Sequence, residues 1–302
     1  MTALRLGTRR SALALAQSGG VAATLIAQTA RDVELVEVTT RGDVDPAALT
    51  QIGGTGVFVS ALRDALLAGD VDLAVHSLKD LPTQPADGLV LAAVPAREDP
   101  RDVLFSPAGL TLGELPAGAR VGTGSPRRAA QLRALGLGLE VVPIRGNVDT
   151  RLKKCIDGEY DAVVLARAGL ARLDRLDAVT EVLDPIQVLP APGQGALAVE
   201  CRAGSEVAEL VAVLDDPDTR ACVLAERALL RSLEAGCTAP VGALADLAED
   251  EIYLRAAACA ADGSDVLRRS LTGPVDEPEA LGARLAAVLL EDGAAELMGE
   301  SR

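Results

Sequence analysis

Residues 76–82 bring several ionisable side chains together. The segment reads His-Ser-Leu-Lys-Asp-Leu-Pro, follows a predicted strand at 73–75, and holds the only histidine of the chain and one of its three lysines. Ligands bind at the carboxyl ends of strands in open α/β sheets. Asp80 is therefore a candidate general acid or base, or a carboxylate that stabilises a developing cation. The alternative is a loop aspartate paired with Lys79. His76 alone is not expected to bind a metal.

Two Gly-Thr segments, residues 6–11 and 121–128, place hydroxyl groups and guanidinium groups where a strand gives way to a helix. Free backbone N–H groups at a helix start, together with arginine, suit a phosphate or a carboxylate. The side chains concerned are Arg9, Ser11, Thr123, Ser125, Arg127 and Arg128. The alternative is that Thr8 and Ser125 only cap helices while the arginines lie in solvent.

A third arginine-rich segment, residues 145–151, follows another predicted strand and reads Arg-Gly-Asn-Val-Asp-Thr-Arg. It adds Arg145 and Arg151 to the same anion-binding chemistry, or else these arginines pair with Asp149 at the surface. The chain has 26 arginines against three lysines. Planar, bidentate recognition of carboxylates is therefore available throughout.

Cys237 follows the predicted C-terminal end of a helix, with Gly236 in a capping position. A thiol on such a loop suits covalent attachment of a group, although the helix dipole raises rather than lowers its pKa. The alternative is a small buried apolar residue, which is the interpretation for the other cysteines: Cys155, Cys201, Cys222 and Cys259. The odd number and the absence of a C-x-x-C pair fit neither a zinc site nor a disulfide framework, and they favour a reducing cytoplasm.

Strand-like runs alternate with helical runs through the first two hundred residues, which predicts an α/β protein with mainly parallel sheets. The predicted strands are residues 4–6, 33–39, 73–75, 89–94, 119–121, 139–143 and 162–165. Three short signatures recur in the same order: 6–8 in 121–123, 40–43 in 144–147, and 69–75 in 158–164. This repeat indicates two similar lobes.

Pro/Gly-rich passages at 95–100 and 189–195 suggest that the chain crosses twice between these lobes, which would form a hinge and a cleft. The first lobe is then residues 1–98 and 194–214, and the second is 99–193. From residue 215 a long helix, a loop, a hairpin at 262–265 and a terminal helix predict a small α+β domain, residues 215–302.

Composition excludes several classes of protein. The 302 residues carry 44 acidic and 29 basic side chains, a formal charge of −15, which repels nucleic acid and anionic membranes. Two Tyr, two Phe and no Trp leave little on which bases could stack. Residues 11–30 are uncharged, but polar residues interrupt them, and an amphipathic helix is favoured over a membrane or export segment.

Seven motifs together resemble the porphobilinogen deaminase family of tetrapyrrole biosynthesis. They are Gly7-Thr8-Arg9 with Ser11, residues 52–59, residues 76–82, Gly122-Thr123 with residues 125–128, residues 145–147, residues 192–195, and Glu226-Arg227 leading to Gly236-Cys237. The resemblance runs from Leu4 to the C-terminal helix. It implies two periplasmic-binding-protein-like lobes plus the small α+β domain. It also implies a cytoplasmic, monomeric transferase of haem biosynthesis that condenses four porphobilinogen molecules, loses ammonia, and releases hydroxymethylbilane.

By the same resemblance, Cys237 carries a dipyrromethane cofactor through a thioether, Asp80 is the catalytic carboxylate, and no metal takes part. The other implied cofactor-binding residues are Lys79, Ser77, Thr123, Ser125, Arg127, Arg128 and Gly146. The implied substrate-binding residues are Arg9, Ser11, Arg145, Asn147, Arg151, Arg172, Phe58 and Gln194. Gln51 and Thr55 stand where the family often has lysine, so this loop lacks those charges.

Two other functions remain open from the residues alone. A two-lobed, non-catalytic protein that binds a small carboxylated ligand would use the same arginines but would need neither Cys237 nor Asp80. An acyl or phosphoryl transferase would use Cys237 or Ser125 as nucleophile, but the sequence offers no evident base beside them.

Overall fold

The structure is a computed structural model that describes residues 2–38, 56–234 and 239–299, except for the side chains of residues 56–58. The chain divides into two compact units. The first unit is Met1–Arg97 with Ala196–Arg220, and the second is Glu98–Gly195 with Ala221–Arg302. Phe58, Gln51, Thr55 and Cys237 lie outside the side chains that are described.

The described residues form strands β1 (Leu4–Thr8), β2 (Val33–Glu37), β3 (Leu73–Ser77), β4 (Leu89–Ala93), β5 (Asp102–Phe105), β6 (Arg120–Gly122), β7 (Glu140–Val142), β8 (Ala162–Ala166), β9 (Glu181–Val182), β10 (Leu197–Arg202), β11 (Val241–Ala248), β12 (Glu251–Cys259) and β13 (Val266–Pro274). The α-helices are α1 (Ala12–Thr29), α2 (Gly56–Ala68), α3 (Pro126–Ala134), α4 (Val148–Ile156), α5 (Arg167–Arg172), α6 (Glu206–Val211), α7 (Pro217–Ser232), α8 (Pro278–Glu291) and α9 (Ala294–Leu297).

The first unit is built on a five-stranded sheet with the order β2-β1-β3-β10-β4. Strand β1 is parallel to β2 and β3, whereas β10 runs antiparallel to β3 and β4. Helix α1 begins where Ser11 Oγ accepts a hydrogen bond from the backbone N–H of Ala14. Leu25 of this helix shares a buried apolar cluster with Leu6 and Leu73, which holds α1 against the sheet.

The second unit contains a sheet with the order β7-β6-β8-β5-β9. Strand β6 is parallel to β7 and β8, and β5 is antiparallel to β8 and β9. Helix α3 starts after Ser125, whose side chain accepts from the backbone N–H of Arg128, and Pro126 occupies its first turn. Leu132 of this helix packs with Val121 and Val164 in the core beneath the sheet.

The two sheets share one strand pattern: three strands joined by parallel pairing, then two joined by antiparallel pairing. This confirms the expected α/β class with two similar, parallel-rich sheets. Strands β5, β9 and β10, which supply the antiparallel pairings, were not predicted from the sequence. Of the three repeated signatures, residues 40–43 lie outside the described part of the chain. No helix in the described ranges is long and apolar enough to cross a bilayer.

The C-terminal residues form an antiparallel sheet, β11-β12-β13, packed against helices α7 and α8. Gly282 of α8 lies where a Cβ atom would come within 2.3 Å of the Ala225 carbonyl oxygen in α7, so glycine is needed for this close helix crossing. The predicted hairpin and terminal helix are confirmed, whereas β11 was not predicted.

Candidate functional site

The carboxylate of Asp80 lies on a 3-10 turn, Leu78–Asp80, directly after β3. Leu78 N–H donates to Ala196 C=O at 3.0 Å, and Gln17 Nε2 donates to Ser77 Oγ at 2.9 Å, so the turn is fixed from two sides. Asp80 is half-buried, and its side chain makes no hydrogen bond or ion pair with the residues that the structure describes. The alternative of an Asp80–Lys79 ion pair is therefore wrong.

A buried charge cluster braces the strand that leads to this turn. Glu200 of β10 accepts two hydrogen bonds from Arg63 of α2, at 3.0 and 2.8 Å, and lies 3.1 Å from His76 Nε2 of β3. Burial alone would raise the pKa of Glu200, but the hydrogen bonds and charges of His76 and Arg63 outweigh it and lower that pKa to about 2. Within the described residues His76 thus has a structural partner and is not part of a metal-binding cluster.

Replacing Glu200 with glutamine is expected to lower the free energy of unfolding at pH 7 by about 3 kcal/mol, because a charge pair that is almost completely buried loses one partner. The folded-state pKa lies below the ordinary value of 4.5, so the carboxylate stabilises the fold above pH 4.5. The wild type loses this stabilisation as the pH falls from 4.5 towards 2. Urea unfolding between pH 7 and pH 3 measures the difference between the two proteins, which should narrow with acidity.

The matched control is Glu34→Gln, an exposed glutamate on β2 of the same unit. Its unfolding free energy should stay within about 0.5 kcal/mol of wild type at every pH. A gap between wild type and Glu200→Gln that does not change with pH would contradict the assignment of a lowered pKa to Glu200.

Arg9 and Ser11 lie between β1 and α1 in the first unit. Arg9 is half-buried. Ser11 Oγ is the N-cap acceptor of α1, at 3.3 Å from Ala14 N. Thr8 is not the cap, because its hydroxyl is buried and accepts from Ser18 Oγ at 2.8 Å. A ligand-binding role for Ser11 thus stays a prediction. In the structure its side chain caps the start of α1.

In the second unit, the guanidinium groups of Arg127 and Arg128 on α3 are buried beside Asp102 of β5. Arg127 Nη2 donates to Asp102 Oδ2 at 2.7 Å. Arg128 Nε and Nη2 donate to Oδ1 at 3.1 and 2.7 Å, and Gln194 Nε2 donates to the same oxygen at 2.7 Å. The alternative in which these arginines lie in solvent is wrong, and Asp102 was not found from the sequence.

The charges in this cluster do not cancel. Burial would raise the pKa of Asp102, but Arg127 and Arg128 together hold it well below its ordinary value. Burial lowers the pKa of Arg127, the nearby charge of Arg128 lowers it further, and Asp102 acts in the opposite direction. Arg127 Nε is buried without a hydrogen-bond partner among the described residues. A buried cation in this state favours an additional anion.

The hydroxyl groups of Thr123 and Ser125 follow β6, next to these arginines in the sequence. Thr123 is buried and its Oγ1 accepts from the Ser125 N–H at 3.2 Å. Ser125 Oγ accepts from the Arg128 N–H at 3.4 Å, so Ser125 caps α3 as the capping alternative proposed. A ligand-binding role for either hydroxyl remains a prediction.

Helix α4 carries Arg151 and begins at an N-cap formed by Asn147, whose Oδ1 accepts from the Thr150 N–H at 2.9 Å. Gly146 precedes it with φ of +114°, and a Cβ there would lie 2.6 Å from Thr150 Cγ2, so glycine is required. Arg151 Nε donates to Gly146 C=O at 2.8 Å. Arg145 is exposed.

Two half-buried arginines of the second unit, Arg151 and Arg172, have no carboxylate within ion-pair distance in the described ranges. Arg172 donates to Gly195 C=O at 2.6 Å. Burial lowers the pKa of both guanidinium groups. Asp149 pairs with Arg175 instead, at 2.5 Å, so the alternative in which residues 145 and 151 pair with Asp149 is wrong.

These observations define an α/β protein of two similar sheets. One unit has, at a strand end, a carboxylate without a partner among the described residues, and the other unit has buried or half-buried guanidinium groups. Residues 4–210 match the family model for the porphobilinogen deaminase dipyrromethane cofactor binding domain, and residues 220–291 match the model for the porphobilinogen deaminase C-terminal domain. The chain belongs to the porphobilinogen deaminase family, as the sequence motifs indicated.

Curated relatives are similar to this chain over nearly its whole length. Porphobilinogen deaminase 1 of Streptomyces coelicolor is 60% identical, covering 99% of this chain and 98% of that protein. Porphobilinogen deaminase of Mycobacterium avium is 56% identical with the same two shares. Among solved structures, the methionine binding protein MetQ is similar with a TM-score of 0.45 and 13% identity, covering 70% of this chain and 89% of that one.

The donor set fits the cofactor that the family model names. A dipyrromethane with acetate and propionate side chains presents several carboxylates, and the second unit offers guanidinium groups that lack carboxylate partners among the described residues, Arg151 and Arg172. The buried Arg127 Nε, which donates to no described acceptor, adds a further N–H group. Charge-assisted hydrogen bonds between guanidinium and carboxylate groups are stronger than hydrogen bonds between neutral groups.

Proposed function

We propose that this chain is a hydroxymethylbilane synthase. It deaminates porphobilinogen, joins four of these pyrroles head to tail, and releases hydroxymethylbilane by hydrolysis, as a transferase of haem biosynthesis. The support is membership of the porphobilinogen deaminase family over nearly the full length. The observation that carries the mechanism is the Asp80 carboxylate after β3, which has no partner among the described residues.

Asp80 acts on the step in which ammonia leaves. Departure of the protonated aminomethyl nitrogen leaves positive charge spread over the pyrrole ring and its methylene carbon. A carboxylate that accepts a hydrogen bond from the pyrrole N–H stabilises that charge in the transition state more than in the ground state. Because the described residues leave both Asp80 oxygens without a partner, no internal hydrogen bond has to break before the substrate binds.

The arginines bind and orient the carboxylate side chains of the pyrroles. Arg151 and Arg172 are half-buried, so their charges are screened less than those of surface arginines. Each has N–H groups beyond the one that donates to a backbone carbonyl. Bidentate contacts of this kind fix the ring plane as well as the position.

When bound through Cys237, the dipyrromethane supplies the nucleophilic pyrrole carbon to which the first substrate is joined. Residues 235–238 lie outside the described chain. The attachment to Cys237 is therefore proposed from the family resemblance of Glu226-Arg227 leading to Gly236-Cys237.

Incubation of the purified protein with porphobilinogen tests the function. We expect one molecule of ammonia for each porphobilinogen consumed. Before substrate is added, the intact mass should exceed the sequence mass by two pyrrole rings. A preparation that binds porphobilinogen without releasing ammonia would instead support the non-catalytic binding protein, which family membership does not favour. A preparation that neither binds porphobilinogen nor releases ammonia would contradict both functions.

We also propose that the enzyme is a cytoplasmic monomer whose partner is the small molecule porphobilinogen, with no nucleic acid or membrane partner. The formal charge of −15 disfavours polyanion surfaces. Cys155, Cys201 and Cys259 are buried and form no disulfide with the described residues, which suits a reducing compartment.

A further inference from the structure

Asp102 is the charged side chain at the centre of the buried cluster on β5, and it is fully buried. Its three side-chain partners, Arg127, Arg128 and Gln194, are residues assigned above to ligand binding by family resemblance. Asp102 itself carries no such assignment.

The hydrogen bonds of Asp102 use nearly all of its acceptor capacity. Oδ1 accepts from Arg128 Nε, Arg128 Nη2 and Gln194 Nε2, and Oδ2 accepts from Arg127 Nη2. A carboxylate offers about four acceptor positions. Both guanidinium groups are therefore tied to one rigid, planar anion, and neither can rotate without breaking a charge-assisted bond.

Backbone carbonyls complete the restraint. Arg127 Nη1 donates to Leu189 C=O, and Arg128 Nη1 donates to Val164 C=O at 3.1 Å. Each guanidinium is thus held at two ends, by Asp102 and by a carbonyl. This is the restraint expected of a pre-organised receptor, in which the geometry is set before the ligand arrives.

The charge balance points the same way. Two guanidinium groups and one carboxylate leave one positive charge in a cluster whose members are all at most 6% exposed. Arg127 Nε has no acceptor in the described part of the chain. The single negative charge of Asp102 balances only one of the two guanidinium charges. The surplus charge is what an anionic ligand would complement.

We infer that Asp102 is a positioning residue: it fixes the guanidinium groups of Arg127 and Arg128 so that they bind carboxylate groups of the enzyme-held pyrrole chain. The inference rests on the proposed function and adds to it the residue that orients these arginines. Asparagine at this position would accept at one atom only and would turn an N–H group towards one of the arginines.

The test compares Asp102→Asn with Asp72→Asn. Asp72 is a matched control because it also lies between two arginines, Arg5 at 2.8 Å and Arg202 at 3.5 Å, but in the first unit. The readouts are the melting temperature, the fraction of chains that carry the two-ring adduct by intact mass, and KM and kcat from ammonia release. A purely structural role would lower the melting temperature of both variants and leave the adduct fraction and KM of folded protein unchanged.

We expect Asp102→Asn to lower the adduct fraction and to raise KM by about tenfold or more, whereas Asp72→Asn keeps both at wild-type values. Wild-type adduct fraction and KM in folded Asp102→Asn would overturn the inference. If the wild type itself releases no ammonia, the proposed function fails, and that outcome is distinct from an active wild type with an unaffected variant.

If Asp102→Asn does not fold, Arg128→Lys decides. This variant keeps every charge in place but removes the two parallel N–H groups that grip Oδ1. The same loss of adduct and rise in KM are expected in the folded protein, together with a lower melting temperature, because buried hydrogen bonds to Asp102 and to Val164 are lost. An adduct fraction and KM equal to wild type would show that the orientation set by Asp102 is irrelevant to binding.

Discussion

Asp80→Asn is expected to reduce kcat for ammonia release by at least about 10²-fold. Asparagine matches aspartate in shape but carries no charge, so the positive charge that develops on the pyrrole loses its stabilising partner. The fold should be unaffected, because within the described residues the Asp80 side chain takes part in no hydrogen bond or ion pair that would be lost. Steady-state kinetics and the melting temperature measure the two effects separately.

Asp87→Asn is the matched control, since Asp87 is an exposed acid seven residues further along the same segment. It should retain wild-type kcat and KM. If Asp80→Asn kept most of its turnover while remaining folded, the carboxylate would have no part in the chemical step and the proposed mechanism would be wrong.

Cys237→Ser is expected to yield protein without the two-ring adduct and without detectable turnover. A serine hydroxyl is a far weaker nucleophile than a thiol near neutral pH, so the thioether to the cofactor cannot be replaced by an ether. Intact mass gives the adduct, and ammonia release gives the activity. Both readouts should be lost together.

Two buried cysteines provide controls for this variant. Burial raises the pKa of Cys155 and of Cys201 to about 12, so both are neutral thiols and poor nucleophiles at physiological pH. Cys155→Ala and Cys201→Ala should therefore keep the adduct, with some loss of stability from the small cavity. An adduct that persists in Cys237→Ser would place the attachment on another residue.

The sequence predicted the parallel part of each sheet better than the antiparallel part. Strands β3 and β8 read as short, apolar runs preceded by turn residues, which is the usual signal of a buried strand. Strand β10 contains Glu200 and ends in Arg202, and β5 begins with Asp102. Charged residues inside or at the start of a strand interrupt this apolar pattern. The partners that allow them to be buried are distant in sequence, so their burial cannot be predicted from local residues.

The chemistry of the candidate site was predictable from residue types, but the surroundings of each side chain were not. The position of Asp80 after a strand is a local property, and the structure places it at that strand end. The burial of Arg127 and Arg128 depends on Asp102, which precedes them by about 25 residues and has no local pattern of its own. The alternative that Ser125 and Thr8 cap helices is correct for Ser125. It is wrong for Thr8, because Ser11 is the cap of α1.

The position of β10 between β3 and β4 sets an order for synthesis. All strands of the second sheet, from β5 to β9, leave the ribosome before β10 does. Until then β4 has no pairing strand among those that the structure describes, and the turn bearing Asp80 lacks the hydrogen bond from Leu78 N–H to the Ala196 carbonyl. Domains generally mature during translation from the N-terminus onward. Here the sheet that is begun first is completed after the second sheet, so a nascent chain stalled before residue 197 would expose an unfinished first sheet to chaperones and proteases.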